Sequence, residues 1–514
     1  KYRALYIDGI IKDSAQLKSK RDPAFKSMVR DINDISDSEI EPPESLRNIL
    51  RNYQKTGFRW LKTMSRYGFG GVLADDMGLG KTLQTIAFLL SVKEEQTEHT
   101  VSLIVCPASL VLNWENEIRH FAPQLSTVSI IGDAQQRADL ISHIPEYDAV
   151  ITSYDLLKRD IELYEGIEFY CQIIDEAQYI KNAATQNAKA VKSIHSRQRF
   201  ALTGTPIENS LAEIWSIFDF LMPGYLHSHS KFNQDFETPI MKNDDQNALA
   251  NLKKMLSPFI LRRLKSNVLK ELPPKTETVL YAGLEGEQKR LYIANLAKIR
   301  SQVSSQIKSG DFNAGSKVMI LAMLTRLRQL CCDPSLCYDD YHAESAKLEL
   351  CLQLLESSVQ AGHKVLLFSQ FTSMLSIIEE KLKQLNISYY ILKGSTPKEE
   401  RSALTQRFNT DDTNVFLISL KAGGTGLNLT GADIVIHYDP WWNISAQNQA
   451  TDRAHRIGQR NSVQVYKLIA KDTIEEKILK LQEDKSKLAD SVISEGDGII
   501  SKMSPEEILA LFDE

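Results

Sequence analysis

The sequence predicts an α/β protein made of two parallel-sheet lobes, with helical insertions and an amphipathic helix at the C-terminal end. Three observations carry this. Short apolar, β-branched runs recur along the chain, each followed by turn residues and a helical stretch, the pattern of strands joined by crossover helices. These runs fall into two sets separated by a mainly helical segment, residues 207–345. The third observation is scale: 514 residues, 43% hydrophobic and 25% charged, supply several buried cores and a prior of about three domains at roughly 150 residues each. The same balance excludes a disordered, collagen-like or disulfide-scaffold protein.

Taken in order, residues 1–45 read as the end of a preceding domain followed by an acidic linker. The first thirty residues hold eight Lys/Arg against three Asp/Glu, and residues 31–46 hold six acids and no base. That stretch includes Glu41-Pro42-Pro43-Glu44, which suits an exposed connection. Residues 46–272 form the first lobe, with strands expected at 71–74, 102–106, 149–152, 172–174 and 199–202 and a helical insert over 207–260. Residues 273–345 read as a hinge and a further helical insert, because Leu272-Pro273-Pro274-Lys275 breaks the chain. Residues 346–472 form the second lobe, with strands expected at 364–369, 388–393, 414–419, 434–437 and 463–468. In the final segment, 473–514, Ile474, Ile478, Leu481 and Leu488 recur among charges, which gives an amphipathic helical brace.

With 61 Lys+Arg against 66 Asp+Glu the net charge is −5. A uniformly basic nucleic-acid coat is excluded, whereas a local basic groove is not. No stretch reaches the ~18 apolar residues of a membrane span. There is no signal peptide and position 1 is Lys, so the chain reads as a fragment of a longer cytosolic polypeptide. Six cysteines suit a reducing compartment. Cys331, Cys332 and Cys337 precede His342, but no C-x₂-C pair is present and two of the thiols are adjacent. Buried thiols at a helix end fit better than a zinc site.

The chemistry concentrates first at Asp75-Asp76-Met77-Gly78-Leu79-Gly80-Lys81-Thr82, which follows an apolar strand and precedes a helical run. A P-loop needs this context, because backbone N–H groups and a helix N-terminus converge there on phosphate oxygens. Lys81 then reaches the β/γ-phosphates and the Thr82 hydroxyl takes Mg²⁺. The general pattern wants Gly at position 75, where this chain has Asp. Further on, Asp175-Glu176-Ala177-Gln178 ends another buried strand. Adjacent acids there are costly without a cation, so Asp175 is assigned to Mg²⁺ and Glu176 to activating the attacking water. Arg453 and Arg456, spaced i, i+3 on one face of a helical turn, supply positive charge against a transition state as arginine fingers.

In this order these motifs resemble the SWI/SNF-type (sucrose-non-fermenting) DNA-dependent ATPases, a branch of the superfamily-two helicase-like motors, from about residue 46 to 478. Further marks are Tyr53-Gln54, Cys106-Pro107-Ala108-Ser109-Leu110, Thr152-Ser153-Tyr154 and Thr203-Gly204-Thr205-Pro206. Others are Phe259-Ile260-Leu261-Arg262-Arg263, Phe368-Ser369-Gln370-Phe371, Gly423-Gly424-Thr425-Gly426-Leu427 and residues 452–459. Asp at 75 is this family's own residue. The resemblance implies two RecA-like lobes that bind ATP and Mg²⁺, with Gln54, Asp76, Gly78, Gly80, Lys81, Thr82 and Gly426 at the nucleotide. Gln54 would read the adenine edge, and Gln178, where most relatives carry His, would couple the lobes with Thr203 and Thr205.

It further implies a translocase that moves on double-stranded DNA and displaces or remodels bound proteins without obligatory strand separation. The matching grip residues are Ser109, Ser153, Ser369, Gln370, Lys421, Gly424, Thr425 and Trp442, with Arg262, Arg263 and Lys265 as a compact basic cluster for phosphates. The expected setting is cytoplasmic, nucleoid-associated in a bacterium, as a monomer. A DNA-bound complex such as RNA polymerase is a candidate target. An RNA-directed remodeller and a nucleotide-gated scaffold with little turnover are the competing readings.

Overall fold

The computed structural model describes residues 22–35, 39–204, 211–243, 245–309, 314–423, 427–441, 444–491, 509 and 511–512. The chain divides into two compact units, Lys1–Lys270 and Glu271–Glu514, and each contains one all-parallel sheet with helical crossovers.

In the first unit the strands are β1 Gly71–Leu73, β2 Ser102–Cys106, β3 Thr127–Ser129, β4 Ala149–Ser153, β5 Glu168–Asp175, β6 His195–Leu202 and β7 Ile260–Leu261, in the spatial order β3-β4-β2-β5-β6-β1-β7. β1, β2 and β4 are buried throughout, as expected of a parallel sheet covered on both faces. The helix Asn52–Tyr67 crosses close to β1, and a Cβ on Gly71 would lie 2.4 Å from the Trp60 ring. Only glycine permits that approach. The helix Lys81–Glu95 is apolar on almost every side because it runs through the interior.

The second unit holds β8 Lys275–Gly283, β9 Val365–Ser369, β10 Tyr389–Leu392, β11 Val415–Ser419, β12 Ile434–His437 and β13 Val463–Lys471, ordered β10-β11-β9-β12-β13-β8. Alternate residues serve two cores. Leu366, Phe368, Phe416, Ile418 and Val435 pack with Phe408 and Leu429. Leu367, Leu417 and Ile436 pack with Met374, Leu375 and Ile378 on the other face. The C-terminal helix, Ile474–Ser491, buries Ile474 and Ile478 against Tyr292, Leu324 and Leu327 of the helices Gly286–Ser309 and Ala314–Cys332, with Leu481 packed alongside.

Three strands were not anticipated. β3 and β7 are only three and two residues long. β8 corrects the reading of residues 273–345 as hinge and helix, because it is the edge strand beside β13, in register from Lys275↔Val463 to Gly283↔Lys471. Most of its residues are exposed or half-buried, so it lacks the apolar run by which buried strands are found. Cys331 and Cys332 are buried thiols at the end of Ala314–Cys332.

Candidate nucleotide site and strand-end loops

Residues 74–80 connect β1 to the helix Lys81–Glu95, with Gly78 and Gly80 at positive φ (83° and 73°). Gly80 lies directly against Gln54: a Cβ there would meet the Gln54 Nε2 at 2.4 Å. Lys81 Nζ donates to the Asp75 carbonyl at 2.6 Å. Thr82 is the second residue of the helix and is partly exposed. Gln54 is buried at the helix start, where its Oε1 accepts from Arg51 N (2.9 Å) and its Nε2 donates to the Leu79 carbonyl (3.1 Å). An amide offers two donors and two lone pairs, so one of each remains. Tyr53 OH also donates to the Leu79 carbonyl, at 3.1 Å. Arg51, Asn52, Tyr53 and Val268 line a cavity of about 470 Å³ beside this turn.

Asp75, which stands where the general P-loop has glycine, has a side chain 0% exposed. Its carboxylate accepts a two-pronged bond from Arg263: Nε to Oδ1 at 2.8 Å, and Nη2 to Oδ2. Gln84 Nε2 adds a bond to Oδ2 at 3.2 Å. Arg263 donates further to Gln84 Oε1 and the Tyr53 carbonyl, and its guanidinium lies over the Tyr53 ring at 5.4 Å. The neighbouring backbone continues the clamp. Ala74 N donates to the Leu261 carbonyl, Asp76 N to the Arg263 carbonyl, and Lys265 N to Asp76 Oδ2. The expectation that Arg262, Arg263 and Lys265 form one basic groove is therefore corrected. Arg262 is exposed, Arg263 is spent on Asp75 at the base of the glycine-rich turn, and Lys265 is buried.

Across the sheet, Asp175 ends β5 and is buried. Its Oδ2 accepts from the Trp114 indole (2.9 Å), its Oδ1 from Glu176 N (2.9 Å), and its carbonyl from Tyr154 OH (2.8 Å). Burial, reinforced by the neighbouring Glu176 carboxylate, pushes the Asp175 pKa up to about 6. Glu176 adopts a left-handed backbone (φ 52°), an uncommon conformation for a residue with a side chain and a frequent mark of functional turns. Gln178 Nε2 donates to Glu176 Oε2 (2.9 Å), and Thr203 Oγ1 donates to Gln178 Oε1 (3.3 Å). Thr203, Gln178 and Glu176 thus form one chain of bonds across the ends of β6 and β5. Thr205 lies outside the described residues.

The strand registers fix how these groups line the carboxyl edge of the sheet. Cys106 is opposite Ser153, Val105 opposite Ile174, Asp175 opposite Leu202, and Leu202 opposite Leu73. Following the edge, one passes from Ser153 through the 107–110 turn to Asp175, then to Thr203, and then to the glycine-rich turn. Open α/β sheets bind ligands at this edge. Ser153 is buried and caps the helix Tyr154–Arg159 by accepting from Leu156 N (3.3 Å), while Ser109 is half-buried.

In the second unit, Ser369 Oγ donates to Asp439 Oδ1 (2.5 Å) and Gln370 N approaches the same carboxylate at 3.3 Å. Asp439 also pairs with Arg328 at 3.6 Å, which sequence reasoning did not foresee. The Lys421 backbone is in the short helix Leu420–Gly423; Gly424, Thr425, Gly426 and Trp442 lie outside the described residues. The helical turn expected to carry Arg453 and Arg456 is corrected, because the helix Ile444–Thr451 stops first. Gln459 Nε2 donates to the carbonyls of Thr430, Ala432 and Ala454, pinning a run of irregular turns. Arg453 is buried there, and Arg456 donates to the Leu427 carbonyl at 3.4 Å.

Two all-parallel α/β units, the first with a strand–glycine turn–helix cradle two strands away from an Asp-Glu strand end, define the helicase-type P-loop class. Residues 53–336, more than half of the chain, match the model of the SNF2-related domain, and residues 346–458 match the helicase conserved C-terminal domain. The chain belongs to the SNF2-related family of ATP-dependent helicase-type proteins. It is similar to an uncharacterized ATP-dependent helicase of Mycoplasma pneumoniae, 37% identical over 515 residues, covering 100% of this chain and 49% of that one. It is also similar to the putative ATP-dependent helicase/translocase YwqA of Bacillus subtilis, 38% identical, covering 95% of this chain and 53% of that one. A solved SWI2/SNF2 ATPase core of Sulfolobus solfataricus in complex with dsDNA is 41% identical, with a TM-score of 0.44, over 89% of this chain and 96% of its own. The chain spans about half the length of the curated relatives it matches. Among the described residues, no helix is long and apolar enough to cross a membrane.

Proposed function

We propose that the chain is the motor of a DNA-dependent ATPase that moves along double-stranded DNA and displaces or remodels proteins bound to it. The observation that supports this most is the order of groups along the carboxyl edge of the first sheet. Asp175 stands between the strand-end loops of Ser109 and Ser153 on one side and the glycine-rich turn on the other. One edge thereby holds both a phosphate cradle and a row of loops suited to a second phosphate backbone.

In this reading the N–H groups at Gly78, Gly80, Lys81 and Thr82 hold the triphosphate, and Lys81 leaves the Asp75 carbonyl for the β/γ-phosphates. The adenine lies in the cavity beside Tyr53, within reach of the remaining amide atoms of Gln54. The residues present suit Mg²⁺, which takes one or two protein carboxylates together with phosphate oxygens: Asp175 is a buried carboxylate beside a second one, and a cation relieves that cost. Thr82 and Asp175 would hold it, and when bound it neutralises the phosphate oxygens. Glu176 orients and deprotonates the attacking water, and Gln178 and Thr203 hold Glu176. Arg453 and Arg456 of the second unit stabilise the charge that develops on the γ-phosphate. Ser109, Ser153, Ser369, Gln370, Lys421, Gly424, Thr425 and Trp442 hold DNA phosphates, with Arg262 the exposed cation of its cluster. Alternating grip by the two units steps the motor.

Steady-state ATP hydrolysis without nucleic acid and with duplex DNA, single-stranded DNA or RNA tests the reading, with Lys81→Ala and Arg456→Ala as controls. Stimulation selective for duplex DNA and abolished in both variants is expected. Stimulation by RNA alone would replace the substrate, and negligible turnover with every nucleic acid would remove the motor.

A further inference from the structure

We infer that Trp114 and Tyr154 are positioning residues that couple the DNA-facing loops of the first unit to the carboxylate end of β5. The inference rests on the reading that Ser109 and Ser153 meet DNA phosphates.

Each aromatic side chain has a single polar atom, and both atoms are aimed at one residue. The Trp114 indole donates to the Asp175 carboxylate at 2.9 Å, and the Tyr154 hydroxyl donates to the Asp175 carbonyl at 2.8 Å. Both side chains are buried, at 1% exposure. Their positions in the chain give the convergence its meaning. Trp114 belongs to the first turn of the helix Val111–Phe121, its N–H bonded to the Leu110 carbonyl at 2.9 Å, so it is set by the turn that carries Ser109. Tyr154 directly follows Ser153 and opens the helix that Ser153 caps. Its ring also stacks on Tyr179 at 5.0 Å, with 9° between the planes, beside Gln178. The two strand-end loops therefore send one rigid donor each to the same strand end.

Phenylalanine would supply an apolar ring at either position, a smaller one at 114. What the indole N–H and the phenol add is a directional bond to Asp175, held by rings too well packed to reorient alone. A shift of either loop on engaging a phosphate moves its donor, and with it the carboxylate or the peptide that carries Glu176. Linkage then requires the effect to run both ways: nucleotide must change the affinity for DNA by the factor with which DNA changes the affinity for nucleotide.

The test uses the full chain. Affinity for a fluorescent duplex is measured by anisotropy with and without a non-hydrolysable ATP analogue and Mg²⁺. Affinity for a fluorescent adenine nucleotide is measured with and without the duplex. Tyr154→Phe removes one donor and keeps the ring, and Trp114→Phe removes the other and leaves a smaller ring. Trp215→Phe serves as control, since its indole bonds to the His227 carbonyl instead. The wild type and the control are expected to show coupling of roughly 5- to 150-fold, the usual range. In Trp114→Phe and Tyr154→Phe the factor falls to within about twofold of unity, while each ligand alone binds within about threefold of wild type. Wild-type coupling in both variants overturns the inference and leaves the DNA reading intact. Loss of duplex affinity in the absence of nucleotide marks a merely structural role and also overturns it. A wild type that binds no duplex overturns the DNA reading and the inference together.

Discussion

Arg263 and Asp75, 188 residues apart in sequence, form an ion pair at the base of the glycine-rich turn, with Nε to Oδ1 at 2.8 Å and the aspartate side chain fully buried. The pair ties the segment that contains β7 to the turn that would receive the triphosphate, and the Asp75 carbonyl also holds Lys81. An acid at this position is tolerable because a guanidinium fork matches both carboxylate oxygens.

Removing one partner leaves the other charge buried. Arg263→Met is expected to cost about 3–5 kcal/mol of stability and to weaken nucleotide binding. Asp75→Asn with Arg263→Met should recover much of the stability but not the nucleotide affinity, since the segment is no longer clamped. Urea unfolding and nucleotide titration of the three proteins check this. Equal nucleotide affinity in wild type and Arg263→Met would contradict it.

The bonds from Thr203 to Gln178 to Glu176 predict a graded series. Glu176→Gln should lower kcat by roughly 10²–10⁴-fold, the span of a lost general base, with nucleotide affinity little changed. Gln178→His keeps a hydrogen-bonding group beside Glu176 and should leave kcat within about threefold, whereas Gln178→Ala should lower it by about tenfold, less than loss of the base itself. Steady-state and binding measurements on the same preparations separate the two effects.

Asp175 gives a pH dependence of stability in the absence of metal and nucleotide. Burial first, and Glu176 second, raise its pKa from 3.8 to about 6. The unfolded state therefore loses its proton before the folded state does. The free protein should lose stability from this group as pH rises from about 4 to about 6, by on the order of 2 kcal/mol. Asp175→Asn should remove that slope and be more stable than wild type at neutral pH in EDTA. Urea unfolding at pH 4.5 and 7 measures both; parallel slopes in the two proteins would contradict the assignment.

Lys347 and Glu475 join the helix Ala346–Gln360 to the start of the C-terminal helix, each with a side chain 0% exposed. Glu475 also accepts from Ala470 N at 2.9 Å. Lys347→Met or Glu475→Leu alone is expected to destabilise by about 3–5 kcal/mol, and the double substitution by much less. Additive losses in chemical denaturation would show that the two charges do not act as a pair.

The strands found from sequence were those with apolar, β-branched runs: β1, β2 and β4 in the first unit, β9, β10, β11, β12 and β13 in the second, with the buried ends of β5 and β6. The leading residues of β5 and the exposed or half-buried leading half of β6 were missed, as was β8, because an edge strand exposed or half-buried at all but one residue resembles a polar segment. At the candidate site, Gly78, Gly80, Lys81, Asp175 and Glu176 were legible because phosphate chemistry constrains their spacing. Arg263 was read as a surface cation, since nothing local distinguishes an exposed arginine from one whose carboxylate is supplied by a distant turn. The bonds of Trp114 and Tyr154 to Asp175 exist only once β4, β2 and β5 lie side by side. The helical turn expected to carry Arg453 and Arg456 gives way to turns that Gln459 ties to the Thr430 and Ala432 carbonyls, nearly thirty residues upstream, a tertiary contact that no local pattern shows.

The central claim, ATP-driven movement on duplex DNA, is tested most directly by displacement of a triplex-forming third strand from a long duplex by the full chain. The account predicts release that requires ATP and an unbroken duplex leading to the triplex, and that is lost in Lys81→Ala. Duplex-stimulated ATP hydrolysis with no release beyond the Lys81→Ala background would contradict translocation and leave a stationary DNA-dependent ATPase.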